Sequence, residues 1–330
     1  MKVAVLGAGS WGTALAAHLA RAGHPVSLWA RDERVARLLD ERRVNPDYLP
    51  GVKLPDGLAA TPDLAAAAAG ADPVFIVVPS AFYRGVCRRL AGALDPRAVL
   101  VSGTKGLEMD TLARMTEVAA EEAPGHPVAV LSGPSFALEV ARGQPTTVVV
   151  ASAAATVAES VQRAVSGRTF RAYSSDDVVG VELAGALKNV IAIAAGIVDG
   201  LGYGHNTAAA LITRGLAEIT RLAVALGGRA ETLSGLAGLG DLVLTCTGAL
   251  SRNRQVGCAL GSGRSLAEAT ASTPMVAEGV RTTLAACALA RKAGVEMPIA
   301  EQMKAVLYEG KPPRMALDDL MLRSLKREVD

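Results

Sequence analysis

The chain of 330 residues is poor in cysteine and in aromatic residues, and neither charge dominates it. Its four cysteines show neither a CxxC spacing nor the framework of a small secreted domain, which indicates a reducing compartment. The net charge is only +2 with both signs interspersed, a pattern that argues against nucleic-acid-binding and membrane-binding surfaces. No uncharged apolar run reaches the ~20 residues that span a bilayer, and the first predicted strand begins too close to Met1 for a signal peptide. We therefore expect a cytoplasmic protein with no membrane span and no nucleic-acid partner.

Residues Val3 to Ala16 read as a buried strand, a glycine turn and a helix of small residues. The apolar run at the start shows no polar alternation, as expected of a parallel strand covered on both faces. The glycines form a G-x-G-x-x-G pattern, in which Gly7 permits a tight turn, Gly9 leaves room for a pyrophosphate and Gly12 lets the helix pack closely. A second predicted strand, Val26 to Ala30, favours a dinucleotide-binding unit over a glycine turn without a ligand.

The two residues after this second strand bear on cofactor choice. An acidic residue there usually binds the ribose 2′-hydroxyl of NAD, whereas an arginine suits the 2′-phosphate of NADP. Here Arg31 comes first and Asp32 follows it. We predict that Arg31 contacts the cofactor and that NADPH is used at least as well as NADH. The alternative is that Arg31 is a solvated loop charge.

The rest of the first half alternates between strand and helix. A helix is predicted at residues 34–43 and a turn-rich loop at 45–51. Apolar runs typical of parallel strands follow at residues 73–78, 99–102, 128–131, 146–151 and 169–173, with a helix at 156–165 between the last two. The C-terminal ends of such strands deliver the residues that contact the ligand.

Beyond Asp176 the pattern is helical only. Helices are predicted at residues 178–197, 207–226, 265–269, 279–293 and 299–309. The sequence therefore predicts an α/β domain with a doubly wound, mostly parallel sheet over residues 1–175, followed by an all-α domain over residues 176–330.

Polar residues interrupt apolar surroundings at several places. Lys188 lies in an otherwise apolar helix, where it either snorkels to solvent or faces a cleft with a lowered pKa. Asp241 follows a glycine turn, and its alternative role is to cap the next helix. The residues 251–254, SRNR, offer clustered donors for a phosphate or carboxylate, with a plain surface loop as the alternative.

Eight motifs run through nearly the whole chain in a fixed order: GAGSWGTALA, TKGLE, SGPSFA, ELAGALKNVIAIAAGIVDG, NTAAALITRGLAE, GLAGLGDLVLTCTG, SRNR and VAEG. In sequence and order they resemble the bacterial NAD(P)-dependent glycerol-3-phosphate dehydrogenases. The resemblance implies a Rossmann-type N-terminal domain joined to a helical domain of the 6-phosphogluconate dehydrogenase-like type. It implies reversible conversion of glycerone phosphate to sn-glycerol 3-phosphate for phospholipid biosynthesis, with NAD or NADP as cofactor, no metal, and a homodimer.

The resemblance also implies roles for individual residues. Lys188 is the expected general acid/base, Asp241 is expected to orient it, and Lys105 is expected to lower its pKa by like-charge repulsion. The substrate-binding residues implied are Lys105, Gly133, Ser135, Lys188, Asn189, Asp241, Thr245, Ser251, Arg252 and Asn253. The cofactor-binding residues expected from the turn and the resemblance are Gly7, Gly9, Ser10, Trp11, Gly12, Arg31, Tyr48, Pro79, Lys105, Ala137, Arg252, Val276 and Glu278.

Three other functions are alternatives to this one. A sugar-acid or 3-hydroxyacid dehydrogenase of the same two-domain class would share the cofactor turn but need no phosphate-binding cluster. A UDP-sugar dehydrogenase would need a cysteine nucleophile, and Cys246 lies in an apolar run with nothing to activate it. A redox sensor that only binds NAD(P)H would need a partner or nucleic-acid surface that this near-neutral chain does not offer.

Overall fold

The structure is a computed structural model that describes residues 1–271, 277–325 and 327–328. Within this part of the chain the strands are β1 (Val3–Leu6), β2 (Val26–Trp29), β3 (Val44–Asn45), β4 (Leu49–Lys53), β5 (Leu58–Thr61), β6 (Val74–Ile76), β7 (Leu100–Ser102), β8 (Val128–Ser132), β9 (Thr146–Ala151) and β10 (Phe170–Ser175).

Eight of these strands form one sheet in the order β10-β9-β8-β7-β6-β1-β2-β5. All neighbours are parallel except β8 and β9, so the mostly parallel, doubly wound sheet that the sequence predicts is confirmed. From β1 the chain moves outward to β2 and β5 and then returns to β6 on the other side of β1. Ligands of such sheets bind beyond the carboxyl ends of the strands at this point of reversal.

Helices cover both faces of the sheet: α1 (Ser10–Arg21), α2 (Glu33–Glu41), α3 (Leu64–Ala68), α4 (Ser80–Leu90), α5 (Met115–Glu122), α6 (Ala137–Ala141) and α7 (Ala155–Val165). Alternate residues of β1 serve the two cores, since side chains of a strand point to opposite faces. Val3 and Val5 pack with α1, α2 and α7, whereas Ala4 and Leu6 pack with α3, α4 and α5. This double cover explains why β1 is apolar throughout.

The rest of the described chain is helical: α8 (Val178–Gly200), α9 (His205–Ala225), α10 (Ala230–Leu233), a π-helical turn (Leu236–Gly240), α11 (Asp241–Thr247), α12 (Arg252–Gly261), α13 (Leu266–Ala271), α14 (Glu278–Ala293), α15 (Pro298–Tyr308) and α16 (Pro313–Met321). Helix α8 is long and apolar enough to cross a bilayer, but it is buried inside the protein. It forms the centre of the helical core and carries Lys188.

The sequence predicted the main strands and long helices with ends that differ by a few residues from those observed. The turn-rich loop predicted at residues 45–51 is correct only in part: residues 46–48 form a turn, but β3 and β4 flank it as an antiparallel hairpin. The side chain of Asn45 holds this hairpin by donating to Ala8 O at 2.9 Å and to Thr13 Oγ1 at 2.8 Å. The hairpin thus depends on contacts with the glycine turn that no local pattern reveals.

Candidate active site

The glycine turn after β1 has the geometry that a dinucleotide requires. Gly7 has a φ of +121°, and a Cβ on it would lie 2.4 Å from Val77 O. A Cβ on Gly12 would lie 1.8 Å from Gly7 O, so only glycine lets α1 approach the turn this closely. Gly9 differs, because a Cβ there would meet no atom within 4 Å. Among the described residues no side chain caps α1 at Gly9, and such a helix start fits the pyrophosphate of NAD(P).

The hairpin supports this turn from the side. Ser10 Oγ donates to the backbone oxygen of Tyr48 at 2.6 Å, so Tyr48 reaches the cofactor turn through its main chain. Trp11 Nε1 is buried without a hydrogen-bond partner among the described residues. A Cβ on Gly103, just after β7, would lie 3.4 Å from this nitrogen. The indole therefore presents an unpaired donor between the tips of β1 and β7.

The end of β2 shows what its two charged residues contact. The Asp32 carboxylate caps α2, accepting from Arg34 N at 2.8 Å and Val35 N at 3.3 Å. Arg31 stays exposed, and its guanidinium lies 5.5 Å from the centroid of the Phe82 ring. Phe82, in the first turn of α4, is 52% exposed. Sequence reasoning missed Phe82, although an aromatic residue three positions after Pro79, at a strand tip, was a usable signal.

A buried carboxylate joins the two halves of the protein. Asp241, only 1% exposed, accepts from Lys105 Nζ at 2.7 Å through Oδ2 and from Lys188 Nζ through Oδ1. Lys188 Nζ also donates to Thr245 Oγ1 at 2.8 Å, and that hydroxyl donates to the backbone oxygen of Asp241 at 2.6 Å. Lys105 follows β7, whereas the other three residues lie on α8 and α11. The cluster therefore forms only when the sheet and the helices are packed together.

The burial of this cluster excludes the two structural alternatives. Lys188 is 5% exposed, so it does not snorkel to solvent. Asp241 is the first residue of α11 and its side chain bonds lysines rather than the helix end, so the capping alternative is also wrong. Burial lowers the pKa of Lys188 to about 7, with the charge of Lys105 acting in the same direction and Asp241 opposing it. Desolvation is the largest of these effects, and the predicted like-charge repulsion by Lys105 adds to it.

Residues at the tip of β8 hold Lys105 from the other side. Lys105 Nζ donates to Gly133 O at 2.8 Å, and Ser135 Oγ donates to the same oxygen at 2.9 Å. Gly133 has a φ of +132°, and a Cβ on it would lie 3.0 Å from Val148 Cα. Ala137 begins α6 directly after this turn. Gly133 and Ser135, two of the predicted substrate-binding residues, therefore lie beside Lys105.

Two asparagines connect the helices around the site. Asn253 Nδ2 donates to Asn189 Oδ1 at 2.9 Å, and Asn253 Oδ1 accepts from Gly279 N at 3.0 Å. Asn189 Nδ2 donates in turn to Lys105 O at 3.3 Å. These bonds join α8, α12 and α14 to the segment that follows β7. The sequence placed both asparagines in the site but gave no sign that they bond each other.

The SRNR segment is the start of α12 rather than a surface loop. Ser251 caps the helix by accepting from Arg254 N at 3.3 Å, and Arg254 pairs with Asp199 at 2.6 Å. Arg252 alone makes no hydrogen bond or ion pair with any described residue, and burial lowers the pKa of its guanidinium. Of the predicted anion-binding cluster, the structure therefore leaves Arg252 as the unpaired cation.

Glycines fix the position of α12 against α8. A Cβ on Gly257 would lie 2.0 Å from Ile193 O, and one on Gly196 would lie 2.0 Å from Arg254 O. The backbones of the two helices are therefore in contact. This contact fixes the start of α12, which carries Arg252, against α8, which carries Lys188.

Of the two remaining predicted cofactor residues, one lies on α14. Glu278, its first residue, accepts from Ser80 N at 3.0 Å and from Ser80 Oγ at 2.8 Å, which joins α14 to the start of α4 after Pro79. Val276 lies outside the described residues. The rival nucleophile Cys246 is buried, and burial raises the pKa of its thiol to about 12, as expected of an inert residue.

Comparison with known proteins supports the resemblance seen in the sequence. Residues 2–158 match the family described as NAD-dependent glycerol-3-phosphate dehydrogenase N-terminus, and residues 177–318 match the corresponding C-terminus. A glycerol-3-phosphate dehydrogenase [NAD(P)+] from Geobacter sp. strain M21 is 55% identical over 330 residues, covering 99% of this chain and 98% of the relative.

Solved structures agree with this result. The glycerol-3-phosphate dehydrogenase of Coxiella burnetii superposes with a TM-score of 0.94 at 45% identity, covering 98% of this chain and 99% of that one. The enzyme of Saccharomyces cerevisiae gives a TM-score of 0.83 at 29% identity, covering 96% and 98%. The family predicted from the motifs is confirmed: the chain belongs to the NAD-dependent glycerol-3-phosphate dehydrogenase family.

Proposed function

We propose that this protein catalyses reversible hydride transfer between NAD(P)H and glycerone phosphate, giving sn-glycerol 3-phosphate. The observation that carries the proposal is the buried Asp241 carboxylate, which bonds two lysines. Arg252, which has no partner among the described residues, stands next to Asn253, and Asn253 bonds the residue that follows Lys188. A lysine with a pKa near neutrality suits proton transfer, and an unpaired guanidinium suits a phosphate. The names of the relatives support the same substrate.

The bonding of Lys188 suggests how it acts. A lysine ammonium has three N–H donors, of which Asp241 and Thr245 engage two. The third is left for the carbonyl oxygen of the substrate, to which Lys188 donates a proton during reduction. In the reverse direction neutral Lys188 accepts the proton of the substrate hydroxyl. The nicotinamide cofactor, when bound, supplies or accepts the hydride.

The neighbouring residues bind and orient the substrate in this proposal. Lys105 has one N–H left after its bonds to Asp241 and Gly133 O, and it faces the same carboxylate as Lys188. Arg252 holds the phosphate with two parallel bonds, and Asn253 keeps one amide N–H free beyond its bond to Asn189. Fixing the phosphate in this way would position the carbonyl carbon for hydride transfer.

The choice between NAD and NADP belongs to the proposal as well. Because the Asp32 carboxylate caps α2, Arg31 is the residue at this strand tip with a side chain to offer the 2′-phosphate. We therefore propose that NADPH is used at least as well as NADH. The resemblance to the family supports a cytoplasmic homodimer with a dinucleotide-binding domain at residues 1–175 and a substrate domain at 176–330.

The substitution Arg252→Ala tests the proposed phosphate site. Truncating one partner of a buried charge-assisted pair costs about 2 to 5 kcal/mol, so kcat/KM for glycerone phosphate should fall by about 30-fold to several thousand-fold. The rate with dihydroxyacetone, which has no phosphate, should scarcely change. NADPH oxidation is followed by absorbance, and NADPH affinity is measured in parallel because Arg252 is also a predicted cofactor contact.

A matched control lies two residues further along the same helix. Arg254→Ala removes an arginine that pairs with Asp199, so it should alter stability without changing the preference for the phosphorylated substrate. Equal losses on both substrates in Arg252→Ala would contradict the proposed phosphate site. A panel of 3-hydroxyacids and sugar acids covers the rival function, and turnover of one of these in place of glycerone phosphate would overturn the proposal.

A further inference from the structure

Glu278 is held across the two halves of the protein by Ser80. Both carboxylate oxygens are engaged, one by Ser80 N at 3.0 Å and the other by Ser80 Oγ at 2.8 Å. Ser80 is buried at the start of α4, where the helix dipole favours a carboxylate. Gly106 leaves room for this contact, since a Cβ on it would lie 2.8 Å from Ser80 Cβ and 3.3 Å from Glu278 Oε2.

The guanidinium of Arg252, unpaired among the described residues, is within electrostatic reach of this carboxylate. The bond from Gly279 N to Asn253 Oδ1, at 3.0 Å, brings the first turns of α12 and α14 into contact. Arg252 and Glu278 are the residues immediately before those two. Among the described residues, the charge of Glu278 is the one that raises the pKa of Arg252 against the effect of burial. A partly buried arginine and glutamate within reach of each other would ordinarily form an ion pair.

An ion pair between Glu278 and Arg252 would place a protein carboxylate in the position of the substrate anion. We propose that Ser80 is a positioning residue that holds Glu278 on the start of α4, away from Arg252, and so keeps the guanidinium open to the phosphate monoester of the substrate. This inference rests on the proposed role of Arg252 in phosphate binding.

A second contact of the same kind provides a matched control. At the start of α5, Thr116 N donates to Glu182 Oε1 at 2.9 Å and Thr116 Oγ1 donates to Glu182 Oε2. Here the neighbouring arginine, Arg114, already pairs with Glu182 at 2.7 Å. Loss of the Thr116 hydroxyl would loosen a contact between the two halves without releasing a carboxylate toward an open cation. Thr116→Ala therefore removes a hydroxyl contact between the two halves, as Ser80→Ala does, but it should not affect phosphate binding by Arg252.

The test measures steady-state kinetics of Ser80→Ala and Thr116→Ala at saturating NADPH. In Ser80→Ala the KM for glycerone phosphate should rise about 3- to 10-fold, with kcat and the rate on dihydroxyacetone within about twofold of wild type. The dissociation constant of inorganic phosphate, measured by calorimetry on the NADPH complex, should rise by the same factor. Thr116→Ala should leave both quantities within about twofold of wild type even if its melting temperature falls.

Removing the charge of Glu278 should reverse the effect. In Ser80→Ala/Glu278→Gln the KM should return to within about twofold of that of Glu278→Gln alone, because a neutral amide does not form an ion pair with Arg252. An unchanged KM and phosphate affinity in Ser80→Ala would overturn the inference. A rise in the KM of Ser80→Ala that Glu278→Gln does not reverse would also overturn the inference. An equal rise in the KM for dihydroxyacetone would overturn it too, because it would show that the whole site had loosened.

The Arg252→Ala variant separates this inference from the proposed function. If Arg252→Ala loses the preference for the phosphorylated substrate while Ser80→Ala behaves as wild type, the positioning role is wrong and the proposed function stands. If Arg252→Ala keeps that preference, both the proposed phosphate site and the inference fail. If both variants lose phosphate affinity, the double variant Ser80→Ala/Arg252→Ala should bind phosphate no more weakly than Arg252→Ala alone.

Discussion

The pH dependence of the reaction is the sharpest test of the lysine cluster. Burial lowers the pKa of Lys188 to about 7, and the proposed proton transfer in the reduction of glycerone phosphate requires its protonated form. The kcat/KM for reduction should therefore be maximal below this value and fall as the pH rises through it. Oxidation of sn-glycerol 3-phosphate requires the neutral amine, so its rate should rise through the same range.

The two residues that share the carboxylate with Lys188 should shift this profile in opposite directions. In Asp241→Asn the protonated amine loses its negative neighbour, so the pKa of Lys188 should fall and the profile should move to lower pH. In Lys105→Met a like charge disappears, so the profile should move to higher pH. A shift of one unit corresponds to about 1.36 kcal/mol, and we expect each change to reach about this size in a site so fully buried.

The assay is kcat/KM for reduction measured between about pH 5 and 10, because this range brackets both protonation states of the lysine. Midpoints are compared rather than rates, since Asp241 and Lys105 are also proposed to bind substrate. Lys188→Ala is the control: its rate should fall by about 10² to 10⁴ and its profile should lose the descending limb. Midpoints that stay in place, or that move in the same direction in both variants, would refute the proposed role of Lys188.

Three further changes test other parts of the structure. Gly9→Val should abolish NADPH binding by calorimetry while leaving the melting temperature nearly unchanged, because a Cβ there meets no atom within 4 Å; native affinity would contradict the assigned turn. Arg31→Ala should raise the KM for NADPH at least about fivefold and leave that for NADH unchanged, whereas equal effects would assign Arg31 to packing on Phe82. Gly257→Ala should lower the free energy of unfolding by about 1 to 3 kcal/mol in urea denaturation, since its Cβ would lie 2.0 Å from Ile193 O; wild-type stability would show that the helices can separate freely.

The sequence predicts well those features that depend on neighbours in the chain. The positive φ of Gly7 and the close approach at Gly12 follow from a strand, turn and helix within a few residues of each other. The apolar run of β1 indicates that helices cover both faces of this strand. These features are local, so residue type and spacing were sufficient to identify them.

The use of a polar side chain depends instead on distant parts of the fold. Asp32 could not be assigned from sequence, because only the start of α2 shows that its carboxylate is already engaged. Lys188 and Asp241 had structural alternatives that fail only because α8 is buried on all sides and α11 points its first residue at Lys105. The two residues are far apart in the sequence, so no periodicity predicts their pairing. Only the motifs of the family indicated that both belong to one site.

The charges of the cleft are distributed in a way that leaves one position for the substrate. Its described part brings together three cations, Lys105, Lys188 and Arg252, and two carboxylates, Asp241 and Glu278. Asp241 serves both lysines and Ser80 holds Glu278, so the excess positive charge is concentrated on the arginine at the start of α12. A phosphate monoester bound there would neutralise that excess without disturbing the bonds that set the pKa of Lys188. In the proposed function Arg252 binds the phosphate and Asp241 influences the pKa of Lys188, so substitution of Arg252 should change the substrate preference without moving the pH midpoint.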